Sequence, residues 1–268
     1  MLYFTLLGPL GVTRDGAPVP LGTAKQQTVL AHLLLNANRP VTVAGLLEAV
    51  WADEPPASAV KNLQLYVGRL RRLLSAAGGE QRLHTVHKGY RLDVGPGELD
   101  LISFREFAER GVTASREGDH ERAETLLTRA LRLWRGRPLE SLAITAPMEA
   151  EVHFLTELQL MLWEEYAGLL LETGRYHEAV PELTRLTLAH PHRERFSYQL
   201  MLALALGGDR SGALNTYRRC YHLLVDELGI EPCRELSELH DSVLTDSVSA
   251  PGRPSGRVGR VPFLSSAH

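Results

Sequence analysis

The segment VKNLQLYVGRLRRLL, residues 60–74, combines two residue patterns that a single face of a helix could not hold together. Apolar residues recur three and four positions apart, which is the spacing of a helix with one buried side. These residues are Val60, Leu63, Val67, Leu70 and Leu74. The cations of the segment are Lys61, Arg69, Arg71 and Arg72. The segment therefore predicts an amphipathic helix with one side in a core and cations on another side.

At 100° per residue, this helix divides into a core side and an outer side. The core side comprises Ala59, Leu63, Tyr66, Val67, Leu70 and Leu74. The outer side comprises Lys61, Gln64, Leu65, Gly68, Arg71, Arg72 and Ser75, with Asn62 and Arg69 at the boundary. A cationic helix face is most often only a solvated surface. The neighbouring elements must therefore decide between a solvated surface and a binding surface.

Two more helices are predicted upstream, over Lys25–Leu35 and Val43–Trp51, from leucines and valines at helical spacing. Thr42 stands at the position that an N-cap would occupy before the second of them. Asp53-Glu54-Pro55-Pro56 predicts a rigid turn, because each proline excludes the preceding residue from a helix. Ser58 then opens the third helix, so the segment quoted above belongs to a unit of three helices.

Strands are predicted on both sides of the three helices. Asp15-Gly16 is typical of a hairpin turn, and His87-Lys88-Gly89 is a short basic loop that follows the Gly78-Gly79 break. The predicted strands around these turns are Tyr3–Leu7, Val19–Leu21, Arg82–Val86 and Tyr90–Val94. Strands, three helices and a hairpin in this order predict a winged helix-turn-helix, in which the third helix enters the major groove of DNA.

This fold gives each residue of the outer side an expected role. Arg, Lys and Gln side chains can hydrogen-bond to base edges, and the residues predicted to read bases or anchor phosphates are Lys61, Gln64, Arg69, Arg71 and Arg72. Gly68 would let the backbone approach DNA closely. Leu65 would meet a thymine methyl group or pack against a neighbouring protein. Lys88 and Arg91 of the hairpin are expected to lie on phosphates.

Composition agrees with a globular protein of two domains. The 268 residues are 44% hydrophobic, and the net charge of -3 hides an asymmetry. Residues 1–97 hold ten Lys or Arg against six Asp or Glu, or +4, which leaves -7 for the remainder. Cys220 and Cys233 form no disulfide framework, and no signal peptide or membrane span is expected. We therefore expect a cytoplasmic, nucleoid-associated protein without a membrane partner.

The second part of the chain predicts an all-α repeat domain. TGRYHEAVPEL, residues 173–183, aligns with GGDRSGALNTY, residues 207–217, and places Ala179 and Ala213 34 residues apart. That spacing is the tetratricopeptide period. GDHERAETLLTRAL, residues 118–131, supplies an earlier and less regular member around Ala123. The fold class predicted for the whole chain is therefore mainly α, with a winged helix-turn-helix (α+β) followed by a tetratricopeptide-like helical domain.

Motifs for catalysis are missing from the sequence. GxxxxGK[ST], HExxH and GxSxG do not occur, and the GGDRSG turn follows no strand. His84 and His87 have the spacing of metal ligands but no acid or cysteine beside them. We therefore expect no enzyme, no catalytic residue, no metal and no cofactor.

Residues 25–74 resemble the DNA-binding domain of the Streptomyces antibiotic regulatory proteins. The motifs of the resemblance are KQQ at the start of the first helix, NRPV, VWADEPP and NLQLYVGRLR, followed by HKGYRL in the wing. The winged helix is similar to the OmpR type, and residues 190–232 resemble the bacterial transcriptional activation domain. Without a preceding receiver domain or an ATPase module, the chain resembles the small form of the family. The family motifs place serine where this chain has Leu65 and Gly68.

The resemblance implies domain bounds, partners and a further DNA contact at Lys25. The expected bounds are 1–95 for the winged helix, 96–100 for a linker, 101–246 for the activation domain and 247–268 for a disordered tail. The implied function is activation of a secondary-metabolite (antibiotic) gene cluster. Its implied partners are direct repeats in double-stranded DNA, RNA polymerase holoenzyme with its sigma factor, and a second copy as homodimer or tandem protomer.

Two alternatives to an activator remain at this point. The helical-repeat groove could bind a small molecule or peptide in a ligand-sensing repressor. The chain could instead be a repeat scaffold whose first domain no longer binds DNA.

Overall fold

The computed structural model describes residues 1–52, 54–78 and 81–248. These residues form two compact units. The first contains residues 1–110 with 126–159, and the second contains residues 111–125 with those from Leu160 onward. The tail expected over 247–268 lies outside the described residues from position 249, as do Asp53 of the predicted turn and Gly79 of the predicted break.

The first unit begins with a small antiparallel sheet in the order β1-β2-β3. Its strands are β1 Leu2–Thr5, β2 Gly11–Arg14 and β3 Ala17–Pro18. The predicted turn at Asp15-Gly16 is confirmed, since φ is 50° and 85° at these two residues. The partner strands were predicted wrongly: β2 was missed, and Val19–Leu21 is not a strand. Val12, alone among polar residues in GVTRDG, gave too short an apolar run for β2 to be recognised.

Three helices follow, α1 Ala24–Leu35, α2 Val43–Trp51 and α3 Ala59–Gly78. The predicted N-cap is confirmed, because Thr42 Oγ1 accepts a hydrogen bond of 3.1 Å from Gly45 N. The predicted core side of α3 is also confirmed: Leu63, Val67, Leu70 and Leu74 are all buried where α3 packs against α1 and α2. Val60 is 47% exposed, so its expected place in the core was wrong. It stands in the first turn, at the edge of the apolar arc.

A second antiparallel sheet, in the order β4-β6-β5, closes the winged helix. Its strands are β4 Val41–Thr42, β5 Leu83–Val86 and β6 Gly89–Leu92. Strands β5 and β6 form the predicted hairpin within about two residues of the predicted bounds. The two-residue loop His87-Lys88 joins them, with φ of 57° at Lys88. A Cβ atom at Gly89 would overlap the carbonyl oxygen of Val41, so glycine is required where β6 meets β4.

Residues 98–100 of the expected linker are buried in the first unit. Phe4 N donates to the Glu98 carbonyl oxygen over 2.7 Å, and Leu6 N donates to Asp100 Oδ1 over 2.9 Å. Arg82 Nη2 donates to Glu98 Oε1 over 3.0 Å. Glu98, Leu99 and Asp100 are between 0% and 7% exposed, so this segment is packed as firmly as the strand beside it.

Helices make up most of the described chain after this segment. They are α4 Asp100–Glu117, α5 His120–Leu131, α6 Ala146–Glu172, α7 Tyr176–Ala189, α8 Glu194–Leu206, α9 Arg210–Leu223 and α10 Arg234–Leu244. A π-helical turn, Leu224–Leu228, extends α9. None of the helices in the described parts of the chain is long and apolar enough to cross a membrane.

The predicted repeat is visible in the second unit, where the same helix-ending turn occurs at three glycines. Gly118, Gly174 and Gly208 have φ of 80°, 75° and 89°. In each case the next residue donates its N–H to the carbonyl five positions earlier, at 2.8–2.9 Å, which is the Schellman pattern that ends a helix. Five residues after each glycine stands a buried alanine, namely Ala123, Ala179 and Ala213. The predicted tetratricopeptide-like architecture is confirmed.

Candidate nucleic-acid interface

The outer side of α3 is a solvent-exposed surface that carries cations and no acid. Lys61, Gln64, Leu65, Arg69 and Arg72 are exposed. No carboxylate occurs anywhere in α3. Within the described residues, Lys61, Arg69 and Arg72 make no ion pair and no hydrogen bond. We call the surface formed by Lys61, Gln64, Leu65, Gly68, Arg69 and Arg72 the outer face of α3.

The buried side of α3 holds this outer face in place. Beside the buried leucines, Tyr66 stacks on Trp51 of α2, with ring centroids 6.3 Å apart and an angle of 20° between the planes. Lys25 Nζ of α1 lies 4.9 Å from the centroid of the Trp51 ring. The family resemblance implies that Lys25 contacts DNA. In the structure Lys25 is exposed, and its ammonium group lies over the Trp51 ring next to α3.

Arg71 is the one predicted outer-side cation whose charged group is held within the protein. Its Nε donates to the Leu83 carbonyl oxygen over 2.8 Å, and its Nη2 donates to Thr85 Oγ1 over 2.6 Å. The guanidinium also lies 5.9 Å from the centroid of the Tyr90 ring. Arg71 therefore ties α3 to both strands of the wing, which fixes the angle between the helix and the hairpin.

The cations of the wing hairpin also differ in whether they have a partner within the protein. Lys88 is exposed at the tip, with no ion pair among the residues that the structure describes. Arg91 instead donates to both carboxylate oxygens of Asp93, over 2.6 and 3.1 Å. This hydrogen bonding keeps the pKa of the Asp93 carboxyl below its ordinary value. His84 Nε2 lies 3.2 Å from the same carboxylate, so His84 and Arg91 share one acid.

The structure thus separates the predicted site residues into two groups. The outer face of α3 and the wing tip present free groups to solvent, at Lys61, Gln64, Leu65, Gly68, Arg69, Arg72 and Lys88. Arg71 and Arg91 are half-buried and already hydrogen-bonded. The bond between Arg91 and Asp93 could have been found in the sequence, because the two residues are two positions apart in the predicted strand Tyr90–Val94 and therefore lie on one side. The link from Arg71 to β5 has no comparable signal.

Among the described residues, no group of three or more His, Cys, Asp or Glu lies close enough to hold a metal ion. The glycine-bearing turns of the second unit end helices. The outer face of α3 offers positive charge and hydrogen-bonding groups.

Two protein-family models together match most of the chain. A family described as "Transcriptional regulatory protein, C terminal" matches residues 16–92, and one described as "Bacterial transcriptional activator domain" matches residues 99–244. "Transcriptional regulatory protein EmbR" of Mycobacterium tuberculosis is 40% identical over 245 residues, which cover 91% of this chain and 63% of that protein. "Regulatory protein DnrI" of Streptomyces peucetius is 34% identical over 250 residues, which cover 91% of this chain and 92% of that protein.

A solved structure shows the same fold. It is "Mycobacterium tuberculosis EmbR in complex with low affinity phosphopeptide", which superposes with a TM-score of 0.88 at 39% identity. The match covers 92% of this chain and 66% of that one. The chain therefore spans a little under two thirds of the EmbR sequences and structure that it matches.

A winged helix of the response-regulator type followed by an activator domain defines a class of transcriptional regulators. Within that class, the chain belongs to the Streptomyces antibiotic regulatory protein family, as the coverage of nearly all of DnrI shows. The resemblance read from the motifs of residues 25–74 is confirmed.

Proposed function

We propose that this regulator is a sequence-specific DNA-binding activator of a secondary-metabolite (antibiotic) gene cluster. The observation that carries the proposal is the outer face of α3, whose cations have no partner within the described residues. Arg69 and Arg72 stand three residues apart on this helix, and two like charges at that spacing repel each other mildly until an anion neutralises them. The phosphates of DNA supply that anion, and an exposed helix of this size fits the major groove.

The role of each side chain in DNA binding follows from whether it already has a partner within the described protein. Lys61, Gln64 and Arg72 reach base edges or adjacent phosphates from the outer face of α3. Arg69, at the boundary of that face, grips phosphate, as does Lys88 at the wing tip. Arg71 acts as a positioning residue, because it sets the wing against α3 rather than touching DNA. Lys25 adds positive charge beside the groove.

Activation requires a second contact beyond DNA. Protomers bind direct repeats near the promoter, as a homodimer or in tandem, and recruit RNA polymerase holoenzyme through its sigma factor. The helical repeats of the second unit provide the protein-contacting surface, since stacked helix pairs present extended faces. The regulator acts at the nucleoid in the cytoplasm, with no catalytic step, cofactor or metal.

A cavity in the second unit is the observation that favours a ligand-sensing repressor instead. It is lined by Thr187, Ser197, Thr216, Cys220 and neighbouring residues, and its volume is about 150 Å³. Binding pockets for drug-sized ligands measure roughly 300–1,000 Å³. The cavity is small for such a ligand, so we favour activation without a ligand.

Two assays on the full chain test the proposal. Genome-wide footprinting should show protected direct repeats, and transcription with purified holoenzyme should rise without any added small molecule. The double variant Lys61→Gln with Arg72→Gln should lose both effects. The matched control, Arg218→Gln with Arg219→Gln, removes the same charge from exposed positions of α9 that are not part of the outer face of α3, and should keep the footprints. Footprints no better than background, or repression of transcription, would overturn the proposal.

A further inference from the structure

Leu65 is an exposed apolar side chain in the middle of a cationic surface. It is 47% exposed, and its neighbours on the outer face are Lys61 four residues before, Gly68 three residues after and Arg69 four residues after. A single exposed leucine is ordinary on a protein surface. The position of Leu65 among free cations is what calls for an explanation.

Gly68 gives the surface beside Leu65 an unusual shape. A Cβ atom added at Gly68 would find no heavy atom within 4 Å, so space is open there. Glycine in the interior of a helix costs stability relative to alanine. No atom of the described protein requires glycine at this position, so this open gap is available to an approaching partner. Leu65 stands three residues before Gly68, on the same face of the helix.

The charges around the gap select the partner. Lys61, Arg69 and Arg72 attract a polyanion, and no acid of α3 opposes it. A protein that covered Leu65 would need an apolar patch surrounded by acids. DNA meets the same requirement without any special arrangement, because its phosphates line both edges of the major groove. Within that groove, the apolar group on a base edge is the C5-methyl of thymine.

We infer that Leu65, beside the gap at Gly68, reads a thymine through its C5-methyl group and makes that base pair a specificity determinant. This inference rests on the proposed DNA-binding function. Leucine has no hydrogen-bonding group, so it distinguishes thymine by packing alone. The other residues of the outer face read or hold the flanking positions.

The test removes the methyl group and nothing else. The full chain first selects its preferred duplex from a random-sequence library, and that selected duplex is the probe. Each thymine is then replaced, one at a time, by 2′-deoxyuridine, which pairs identically but lacks the C5-methyl. Affinity is measured by fluorescence anisotropy for the wild type and for Leu65→Ala and Val60→Ala. Val60 is the matched control because it is also 47% exposed on α3, roughly 140° around the helix from Leu65.

In each DNA repeat, binding should be sensitive to the replacement of one thymine by deoxyuridine. This replacement is expected to weaken wild-type binding about fourfold, the value of one buried methyl-sized group. Leu65→Ala should show almost no difference between thymine and deoxyuridine there, whereas Val60→Ala should keep the fourfold difference. Circular dichroism should show both variants folded, since neither side chain is in the core.

The results that would contradict the inference distinguish a failure of DNA binding from a failure of the thymine contact. If no sequence is enriched from the library, the DNA-binding function fails and the thymine contact fails with it. If a sequence is enriched but no thymine is sensitive, or Leu65→Ala keeps the sensitivity, only the thymine contact is overturned. If Leu65→Ala weakens binding to two repeats but not to one, Leu65 contacts a neighbouring protomer, and the thymine contact is again overturned.

Discussion

The cations on the outer face of α3 and the cations that brace the wing differ in what their charges already contact. The outer face of α3 leaves Lys61, Arg69 and Arg72 unpaired within the described residues. The cations that brace the wing are Arg71, Arg82 and Arg91, each bonded to a carbonyl, hydroxyl or carboxylate oxygen. A count of positive residues treats these two groups alike. Only the unpaired group can give its charge to a nucleic acid without breaking a bond within the protein.

The largest effect on stability is expected from Arg82, whose partner Glu98 is a largely buried carboxylate. The side chains of Arg82 and Glu98 are 17% and 9% exposed. Arg82→Gln leaves the Glu98 carboxylate without its cation, and breaking such a buried pair costs about 3 kcal/mol or more. Urea unfolding of the full chain at pH 7 measures this loss. Arg72→Gln, the control from the outer face, should change the free energy of unfolding by less than about 0.5 kcal/mol.

The stability gap between wild type and Arg82→Gln should also depend on pH. Burial raises the pKa of Glu98, but hydrogen bonds from Arg82 and Gly95 outweigh it and leave that pKa below the ordinary 4.5. A carboxyl of lowered pKa contributes stability above its unfolded pKa and loses it as the pH falls. The gap should therefore narrow below pH 4.5. A gap that is constant from pH 7 to pH 3.5 would show that the ion pair is not its cause.

Arg71→Ala is expected to have the next largest effect, on stability rather than on base specificity. It removes two hydrogen bonds from a charged donor to the wing, worth about 1–3 kcal/mol in the free energy of unfolding. Arg72→Ala, one residue along, should keep the stability and weaken DNA binding. Unfolding curves and binding to the selected duplex separate the two. If Arg71→Ala instead kept full stability and relaxed specificity at one base pair, Arg71 would be a base reader, as its helical position alone predicts.

Lys88 and Arg91 should differ in the salt dependence of DNA binding. Lys88→Ala removes a free cation at the wing tip, so the slope of log affinity against log salt should fall by about one for every DNA sequence. Arg91→Ala removes a charge that Asp93 already offsets, so its slope should change less. Anisotropy titrations between 50 and 200 mM salt suffice. Equal slopes for wild type and Lys88→Ala would exclude a phosphate contact at the wing tip.

The smallest effect should come from Gly68→Ala, which is expected to increase the stability of the fold and to weaken DNA binding. Alanine favours the helix by up to about 1 kcal/mol, and no described atom obstructs its Cβ, so unfolding should require more urea. DNA binding should weaken, because the added methyl fills the gap beside Leu65. A variant that is more stable and binds DNA as tightly as wild type would show that the gap is not used.

The elements with strong periodicity could be predicted from sequence, and the weak ones could not. Leucines at helical spacing gave α1 and α3 within about one residue, because burial on one side of a helix imposes that pattern. Strand β2 was not predicted, because four residues with one buried valine show almost no hydrophobic pattern. The glycines of the repeat turns were recognised because the turn requires positive φ wherever it recurs.

The sequence placed most of the residues of the candidate site on one helix, but it did not indicate which of their side chains bond within the protein. Helical angles placed Lys61, Gln64 and Arg72 together, since the angle depends only on spacing along one helix. The bonds of Arg71 depend on where β5 packs, which is a long-range contact that no local pattern encodes. Val60 shows the same limit, because an apolar residue at the edge of an arc is buried only if a neighbour covers it.

The firm attachment of residues 98–100 to β1 determines how the winged helix can be isolated for study. A fragment truncated at residue 95 would strip β1 of the hydrogen bond that Phe4 gives to Glu98. It would also leave the amides of Leu6 and Leu7 without the Asp100 carboxylate that accepts from both. Arg135 donates to that carboxylate as well, over 2.8 Å. A recombinant DNA-binding fragment should therefore carry the first turns of α4 and the Arg135 segment, and designed chimaeras should place their junctions beyond these residues.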